Sequence, residues 1–399
     1  MHRHHSVSRI FMWSYIVTAI SLVVGFMYGS WSGVILCAIL GVLEVSLSFD
    51  NAVINATILE RMSDFWQKIF LTIGVVIAVF GMRLLLPLLI VYFAAGLNPV
   101  EAFQLAMNPP ADDAPFFPDG SPSYETLLTN AHPIIAAFGG MFLLMLFLNW
   151  LFEEKEHHWL IWLEKPLAKA GKLDSMAIMV AGLVLLVTSE TLAKDAEIVL
   201  FAGLAGMVTY LAVNGLGTFF ENKEHLNEGD DATEPAPATS RNSNLVKAAG
   251  KAGFFLFLYL EVLDASFSFD GVIGAFAITS DPILIALGLG LIGAMFVRSL
   301  TVFLVRKGTL SEYIYLEHGA HWAIGALAIV LFVSIGVHIS EFITGSLGVA
   351  FIGAALWSSI VRNRRLKHAE APQADHTPSN TPDSDTTEPQ ELEDVYRTS

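Results

Sequence analysis

The sequence predicts an all-α fold: a polytopic membrane helix bundle of about ten spans, built as an inverted-topology internal repeat whose motif helices cross in opposite senses. Three observations lead there. Of 399 residues, 54% are hydrophobic and only 15% charged, and the mean hydropathy is +0.57; these values set the chain apart from an ordinary soluble globule. The apolar residues are gathered into segments close to the ~20 residues that cross a hydrocarbon core. Two of those segments carry nearly the same polar motif, Glu44-Val45-Ser46-Leu47-Ser48-Phe49-Asp50 and Asp264-Ala265-Ser266-Phe267-Ser268-Phe269-Asp270. An acid at mid-bilayer costs ~2.5–3.5 kcal/mol on insertion scales, so a doubly acidic motif written twice calls for a physical reason.

In chain order the expected spans are Ile10–Tyr28, Gly33–Leu59, Ile69–Ala94, Pro133–Phe152, a short Ser175–Val187, Glu197–Phe219, Phe254–Ile278, Pro282–Val305, Trp322–Ile339 and Phe342–Val361. The start, with His2, Arg3, His4, His5 and Arg9 before an apolar run, has no small-x-small cleavage site behind it and reads as an uncleaved first span. Lys and Arg fall on alternate connections, among them Arg61, Lys68, Lys155, Lys251, Arg306 and Arg362, while the opposite loops are nearly free of them apart from Lys194. By the positive-inside rule both termini are cytoplasmic.

Composition shifts divide the chain. Residues 1–219 form a first membrane half, with the motif span at 33–59, a Pro-rich outer loop at 95–130 and a charged, Trp-bearing segment at 153–172. That last segment reads as an amphipathic stretch on the cytoplasmic surface. Residues 220–247 form an acidic cytoplasmic linker; 248–361 form the second membrane half, with its motif span at 254–278; 362–399 form a basic, then acidic, disordered tail.

Several function classes are excluded by missing parts. Cys37 is the only cysteine, so an intramolecular disulfide or a cysteine metal site is ruled out. Neither His-Glu-x-x-His nor Gly-x-Ser-x-Gly occurs, so zincin and serine-elbow chemistry have no support, and the chain is expected not to be an enzyme. Nothing basic and aromatic-interleaved points to nucleic acid, and no organic cofactor is expected. The net charge of −16 comes largely from the linker and tail.

The repeat aligns Glu44 with Asp264, Ser48 with Ser268, Asp50 with Asp270 and Asn51 with Gly271, and each half places an arginine in its next span, Arg83 and Arg298. Because the second and seventh spans cross in opposite directions, the copies are antiparallel. Transporters built this way hold their substrate near the midplane, at the repeat interface. Glu44, Ser48, Asn51 and Asn55 fall at i, i+4, i+7 and i+11, one polar stripe on a helix, and Glu261, Asp264, Ser268 and Gly271 form a comparable stripe. A local unwinding near Ser-Phe-Asp would bring the acids closer, and Gly271 and Gly274 favour it in the second copy.

Together Glu44, Asp50, Glu261, Asp264 and Asp270, with Asn51, Asn55 and the hydroxyls of Ser48 and Ser268, make an oxygen-rich shell of the kind that suits a hard divalent cation. Five carboxylates cannot all stay ionised side by side in low dielectric. A bound cation, protons or the charge-balancing Arg83 and Arg298 must neutralise them. The competing reading is a set of structural ion pairs, which leaves five acids against two arginines. Elsewhere, Glu317, His318 and His321 stand at helical spacing before the ninth span and read first as an interfacial cap, with metal ligation the lesser alternative.

These residues resemble a known family. Leu43 to Ala52 is similar to the first signature of the TerC family (tellurium-resistance protein C). Glu261 to Asp270, followed by Ala275-Phe276-Ala277-Ile278-Thr279-Ser280-Asp281-Pro282, resembles its second, and Arg298-Ser299-Leu300 matches the arginine of the following helix. Gly271, Val272 and Ile273 stand where the family usually has a serine and a nearby proline. The resemblance implies a divergent branch of bacterial inner-membrane proteins concerned with metal homeostasis, with manganese as the exported cation; by ligand chemistry calcium or magnesium would suit as well, with protons as counter-ions. It also implies tellurite resistance and a contact with the secretion machinery. By position it makes Glu44, Asp50, Asn51, Asp264 and Asp270 the metal residues, with Glu261 next. The expected function is therefore efflux of a divalent cation. The alternative is a non-transporting membrane scaffold in metal-stress or tellurite resistance that associates with secretion machinery.

Overall fold

The protein is seen here in a computed structural model. It describes residues 7–111, 114–155, 157–171, 175–229, 248–276, 278–279, 281–306 and 313–370. The expectations placed on the histidines at 2–5, on Asp112 and Asp113, on most of the linker and on the tail beyond residue 370 lie outside the described residues. So do the side chains of Asp50 and Asp270, although the backbone at both is helical.

Among the described residues the fold is helical, with only isolated bridges and no strand. Six helices are long and apolar enough to cross a membrane, or seven if a bent pair counts as one, which marks a multi-pass membrane protein. The first helix, α1 (Val7–Leu47), is really two arms. Gly29 (φ −123°, ψ 17°) and Ser30 (φ 55°, ψ −145°) leave helical geometry between them. The bend brings Gly25 against Gly33 so closely that a Cβ on Gly33 would strike the Gly25 carbonyl. The bend falls between the first two expected spans, and position 33 has no room for a Cβ.

Helix α2 (Phe49–Glu60) follows after a break at Ser48 (φ −100°, ψ 16°). The next span is irregular: α3 (Asp64–Ile69), π-helical turns at Phe70–Gly74 and Ile77–Leu85, then α4 (Leu86–Ala95), with a 48° bend between its halves. The outer loop holds a helix the pattern did not predict, α5 (Pro99–Met107), closed by an Asn98–Glu101 capping box.

Helix α6 (Tyr124–Phe152) is the centre of the bundle: its most apolar stretch is 78% buried, against 22% for α1. Phe142, Leu143 and Met145 are fully enclosed. It starts nine residues before the expected Pro133, because the Ser123 hydroxyl accepts the Thr126 N–H (3.1 Å) and caps it there; Pro133 lies inside the helix. Helix α7 (Ile161–Ala170) forms within the segment expected at the surface. Trp162 and Ile161 do face outward, but Glu164 is fully buried. It accepts N–H bonds from Trp159 (3.1 Å), Leu160 (3.3 Å) and Trp322 (3.1 Å), which dock the segment into the bundle.

The remaining helices are α8 (Met176–Thr191), α9 (Ala196–Gly229), α10 (Gly250–Phe276), α11 (Pro282–Ile285), α12 (Ala294–Arg306), α13 (Leu316–Ser334) and α14 (Glu341–Glu370). A π-helical run, Ala286–Gly293, joins α11 to α12. Residues Met1–Ile360 form one compact unit, and Val361–Ser399 form a second, described only through its helical residues 361–370.

Candidate functional site

The polar stripe read from the first motif is buried as a unit: Glu44, Ser48, Asn51 and Asn55 are all nearly inaccessible, as are Glu261, Asp264 and Ser268 from the second. Local hydrogen bonds satisfy the first serine of each motif in the same way. Ser46 donates to the Val42 carbonyl (2.8 Å) and Ser266 to the Val262 carbonyl (2.9 Å), the i−4 bond that lets a hydroxyl sit inside a helix. The copies differ at the break. The helix is interrupted at Ser48, whereas α10 runs unbroken through Gly271 and Gly274 to Phe276. The unwinding favoured for the second copy is thus found in the first.

The two motifs touch. Asn51 Nδ2 donates to Asp264 Oδ1 at 2.6 Å. At the other end of the contact, a Cβ on Gly271 would lie 3.0 Å from Glu44 Oε2. Reading from 44 to 51 along one helix therefore reads from 271 to 264 along the other. The end of α2 meets the start of α10, with Ser63 N–H donating to the Ala248 carbonyl and Ala248 N–H to the Arg61 carbonyl, each at 2.8 Å.

Arg83, almost fully buried, forms an ion pair with Glu44 and donates Nη1 to the Ala78 carbonyl at 2.8 Å. Ser48 Oγ donates to the same Glu44 oxygen at 2.6 Å. Arg298, half-buried, donates Nε to the Leu71 carbonyl at 2.7 Å. Both arginines thus take carbonyls of the bent span that follows the first motif, at or beside its π-helical turns. A cavity of ≈30 Å³ lies between these groups, bordered by Asn55, Arg83, Asp264, Arg298 and Thr301. That is room for about one or two waters, or one ion without its shell.

Several polar atoms around this point have no hydrogen bond: both carboxylate oxygens of Glu261, Asn55 Oδ1, Arg83 Nε and Ser268 Oγ. Glu261 presses on the bent span so closely that a Cβ on Gly74 would lie 2.7 Å from its Oε1. Buried atoms of this kind cost ~1–3 kcal/mol each when left unpaired, more if charged, so the arrangement is poised for an added partner. Among the described residues, no three His, Cys, Asp or Glu are placed to hold a metal ion together.

Of the residues singled out from sequence, the fold brings Glu44, Asn51, Asn55, Glu261, Asp264, Arg83 and Arg298 to one region, while the side chains of Asp50 and Asp270 lie outside the described residues. Sequence reasoning missed the cradle of small residues around them. Gly293 meets Glu44 so closely that a Cβ there would overlap Glu44 Cγ, and the Ala78 and Leu71 carbonyls act as acceptors. The one signal was the Gly-rich run Leu287 to Gly293 in an otherwise bulky apolar span.

A family model described as a protein of unknown function, DUF475, matches residues 49–366. The match takes in Asp50, Asn51, Arg83 and the whole second motif, and begins just after Glu44 and Ser48. No curated protein and no solved structure matches the chain.

Proposed function

The chain belongs to the DUF475 family, and from that footing we propose that it is a membrane transporter that exports a divalent metal cation, manganese first, through a carboxylate-rich site between two inverted repeats. One observation carries the reading: the Asn51–Asp264 hydrogen bond and the close approach of Glu44 to Gly271 join corresponding positions of the two motifs. In the repeat alignment Glu44 corresponds to Asp264 and Asn51 to Gly271, so exchanging the copies turns one contact into the other. That reciprocity is what a two-fold relation between antiparallel helices requires, and inverted-repeat transporters place their sites on such an axis.

Other features agree. Each motif helix is followed by a span with π-helical turns and an arginine, Ile77–Leu85 with Arg83 and Ala286–Gly293 with Arg298. π-Distortions of this kind concentrate at functional sites. The TerC-like motifs point the same way, to manganese and to a bacterial inner membrane with both termini inside. Of the proposed ligands, Glu44, Asp264, Glu261, Asn51 and Asn55 lie around one small cavity or directly beside it; Asp50 and Asp270 are proposed from their places in the two motifs.

The mechanism follows from charge. With no cation bound, Arg83 neutralises Glu44 while Asn51 holds Asp264. An arriving dication replaces the guanidinium on Glu44 and draws in the unpaired oxygens of Glu261 and Asn55. Release returns Arg83 to Glu44, so that carboxylate is never left bare, and protons would neutralise Glu261 and Asp264 in the empty site. Rocking the two repeats about this point opens it alternately to either side.

The scaffold reading has its own support, since the Glu44–Arg83 pair and the Asn51–Asp264 bond already lock the helices without an ion. Manganese flux in proteoliposomes separates the two. Wild type is expected to move Mn²⁺, and Asp264→Asn, Asp50→Asn and Asp270→Asn to lower the rate by about tenfold or more, the effect of losing a charge partner of ~1.4 kcal/mol or above. Absence of flux from wild type under imposed metal and proton gradients favours the scaffold.

A further inference from the structure

A second chamber lies further along α2. It measures ≈230 Å³ and is lined by Thr57, Asn149, Glu153, Tyr210, Glu317 and His321, with Arg61 at the end of α2. Asn55, less than two turns earlier on the same helix, borders the small cavity of the buried site. Asn55 and Arg61 are six residues apart, about 9 Å along a helix axis. The chamber and the site therefore lie along the same helix, with the chamber toward the end that carries Arg61.

His321 distinguishes this chamber from a merely polar void. The residue is 8% exposed. Its Nδ1 lies 2.9 Å from the Glu317 carbonyl oxygen. A carbonyl can only accept, so Nδ1 carries the proton and Nε2 is left with a free lone pair. The Trp150 ring stacks on the imidazole at 4.5 Å with only 9° between planes, fixing its orientation. Among the described residues Nε2 has no hydrogen-bond partner. A neutral imidazole whose Nδ1–H is tied to a backbone carbonyl, with Nε2 presented bare, is the arrangement by which proteins orient a histidine toward a metal. Glu153 and Glu317 supply two carboxylates to the same chamber, facing the Arg61 guanidinium and the Lys155 ammonium, which lies 3.9 Å over the ring of the lining Trp150.

We propose that this chamber is a loading site for first-row transition-metal dications, with His321 Nε2 as the nitrogen ligand that separates them from magnesium and calcium. The inference rests on the transport reading and deepens it. The buried site offers only oxygen, and oxygen ligands serve manganese, magnesium and calcium alike; an imidazole nitrogen favours the transition metals. The chamber holds its ion through one nitrogen, lining oxygens and retained water, so the ion is selected there and stripped of its remaining shell one step further in. Weak, partly hydrated binding suits a site that must also let go.

The test reads binding rather than transport. Purified full-length protein in detergent is loaded with Mn²⁺ and examined by pulsed electron paramagnetic resonance for coupling to an imidazole ¹⁴N. Wild type is expected to show the coupling and to prefer Mn²⁺ over Mg²⁺ in competition. His321→Gln is expected to lose the coupling and at least tenfold of that preference. His318→Gln is expected to keep both, because His318 does not line the chamber and its Nε2 is engaged with the His157 carbonyl at 2.9 Å; it also controls for damage to the fold. Asp264→Asn is expected to keep the coupling while losing flux. Absence of ¹⁴N coupling in wild type, or its persistence in His321→Gln, overturns the loading site and leaves the transport reading standing. Coupling that disappears on His321→Gln, in a protein that moves no Mn²⁺, keeps the chamber as a metal site and overturns its role in loading.

Discussion

If Arg83 is the resident counter-charge of an empty cation site, Glu44 and Arg83 must be strongly coupled. Both are almost fully enclosed, at 1% and 4% exposure. Glu44→Gln leaves the guanidinium with the Ala78 carbonyl and a neutral amide oxygen. Removing one partner of a buried pair costs ~3–5 kcal/mol, because the other charge stays buried without compensation. The introduced amide can still accept one bond, so the lower end, about 3 kcal/mol, applies. Arg83→Gln strands Glu44 with only the Ser48 hydroxyl and should cost at least as much. The double variant buries no ion and should fall within ~1–2 kcal/mol of wild type, giving a coupling of roughly 4 kcal/mol or more. Reversible unfolding in mixed SDS micelles, followed by tryptophan fluorescence, measures all four corners. Metal adds a second dimension. Arg83→Gln should be rescued by Mn²⁺, with ~2.7 kcal/mol recovered at about a hundred times the dissociation constant, while the double variant should respond far less. Single-variant effects that add to within ~0.5 kcal/mol would refute the reasoning, as would an Arg83→Gln protein indifferent to Mn²⁺.

Two further outcomes are expected. Asn51→Ala removes the 2.6 Å donor to Asp264 and should lower stability by ~1.5–3 kcal/mol, the range for a bond to a charged group, with Asn51→Asp no better because it sets two carboxylates together; the same SDS titration reads this. Gly293→Ala should destabilise by ~1–3 kcal/mol through overpacking against Glu44. Gly182→Ala, with nothing within 4 Å of the added carbon, should gain ~0.5–1 kcal/mol from helix preference alone, and the contrast is read by thermal unfolding in detergent.

Much of this site was legible in the chain because polar residues in apolar surroundings are conspicuous and helical spacing fixes which of them share a face. The stripe Glu44, Ser48, Asn51, Asn55 is buried as spacing required, and the Gly29–Ser30 bend falls between the two expected spans. Partners were less legible. Nothing local says that Arg83 would choose Glu44, or Asn51 choose Asp264, since both contacts depend on how distant helices cross. The π-helical turns at 70–74, 77–85 and 286–293 were also hidden, because no residue pattern enforces them and tertiary packing decides. Helix starts were misplaced where a cap outranked the apolar boundary, as at Ser123 before Pro133. The segment around Glu164 looked amphipathic and superficial because its charge was visible, while the three N–H groups that make burial tolerable came from Trp159, Leu160 and the distant Trp322. His321 was read as an interfacial cap for the same reason: the stacked Trp150 and the chamber beyond it exist only in the fold.

The most direct test of the central claim is the anomalous-scattering map of crystals of the full chain soaked in Mn²⁺. The account predicts a peak between the helices bearing Glu44–Asn51 and Asp264–Gly271, with carboxylate oxygens at about 2.0–2.6 Å, the range for hard dications, and Arg83 withdrawn from Glu44. A fully loaded map without a peak at that crossing, with Arg83 still paired to Glu44, would contradict it.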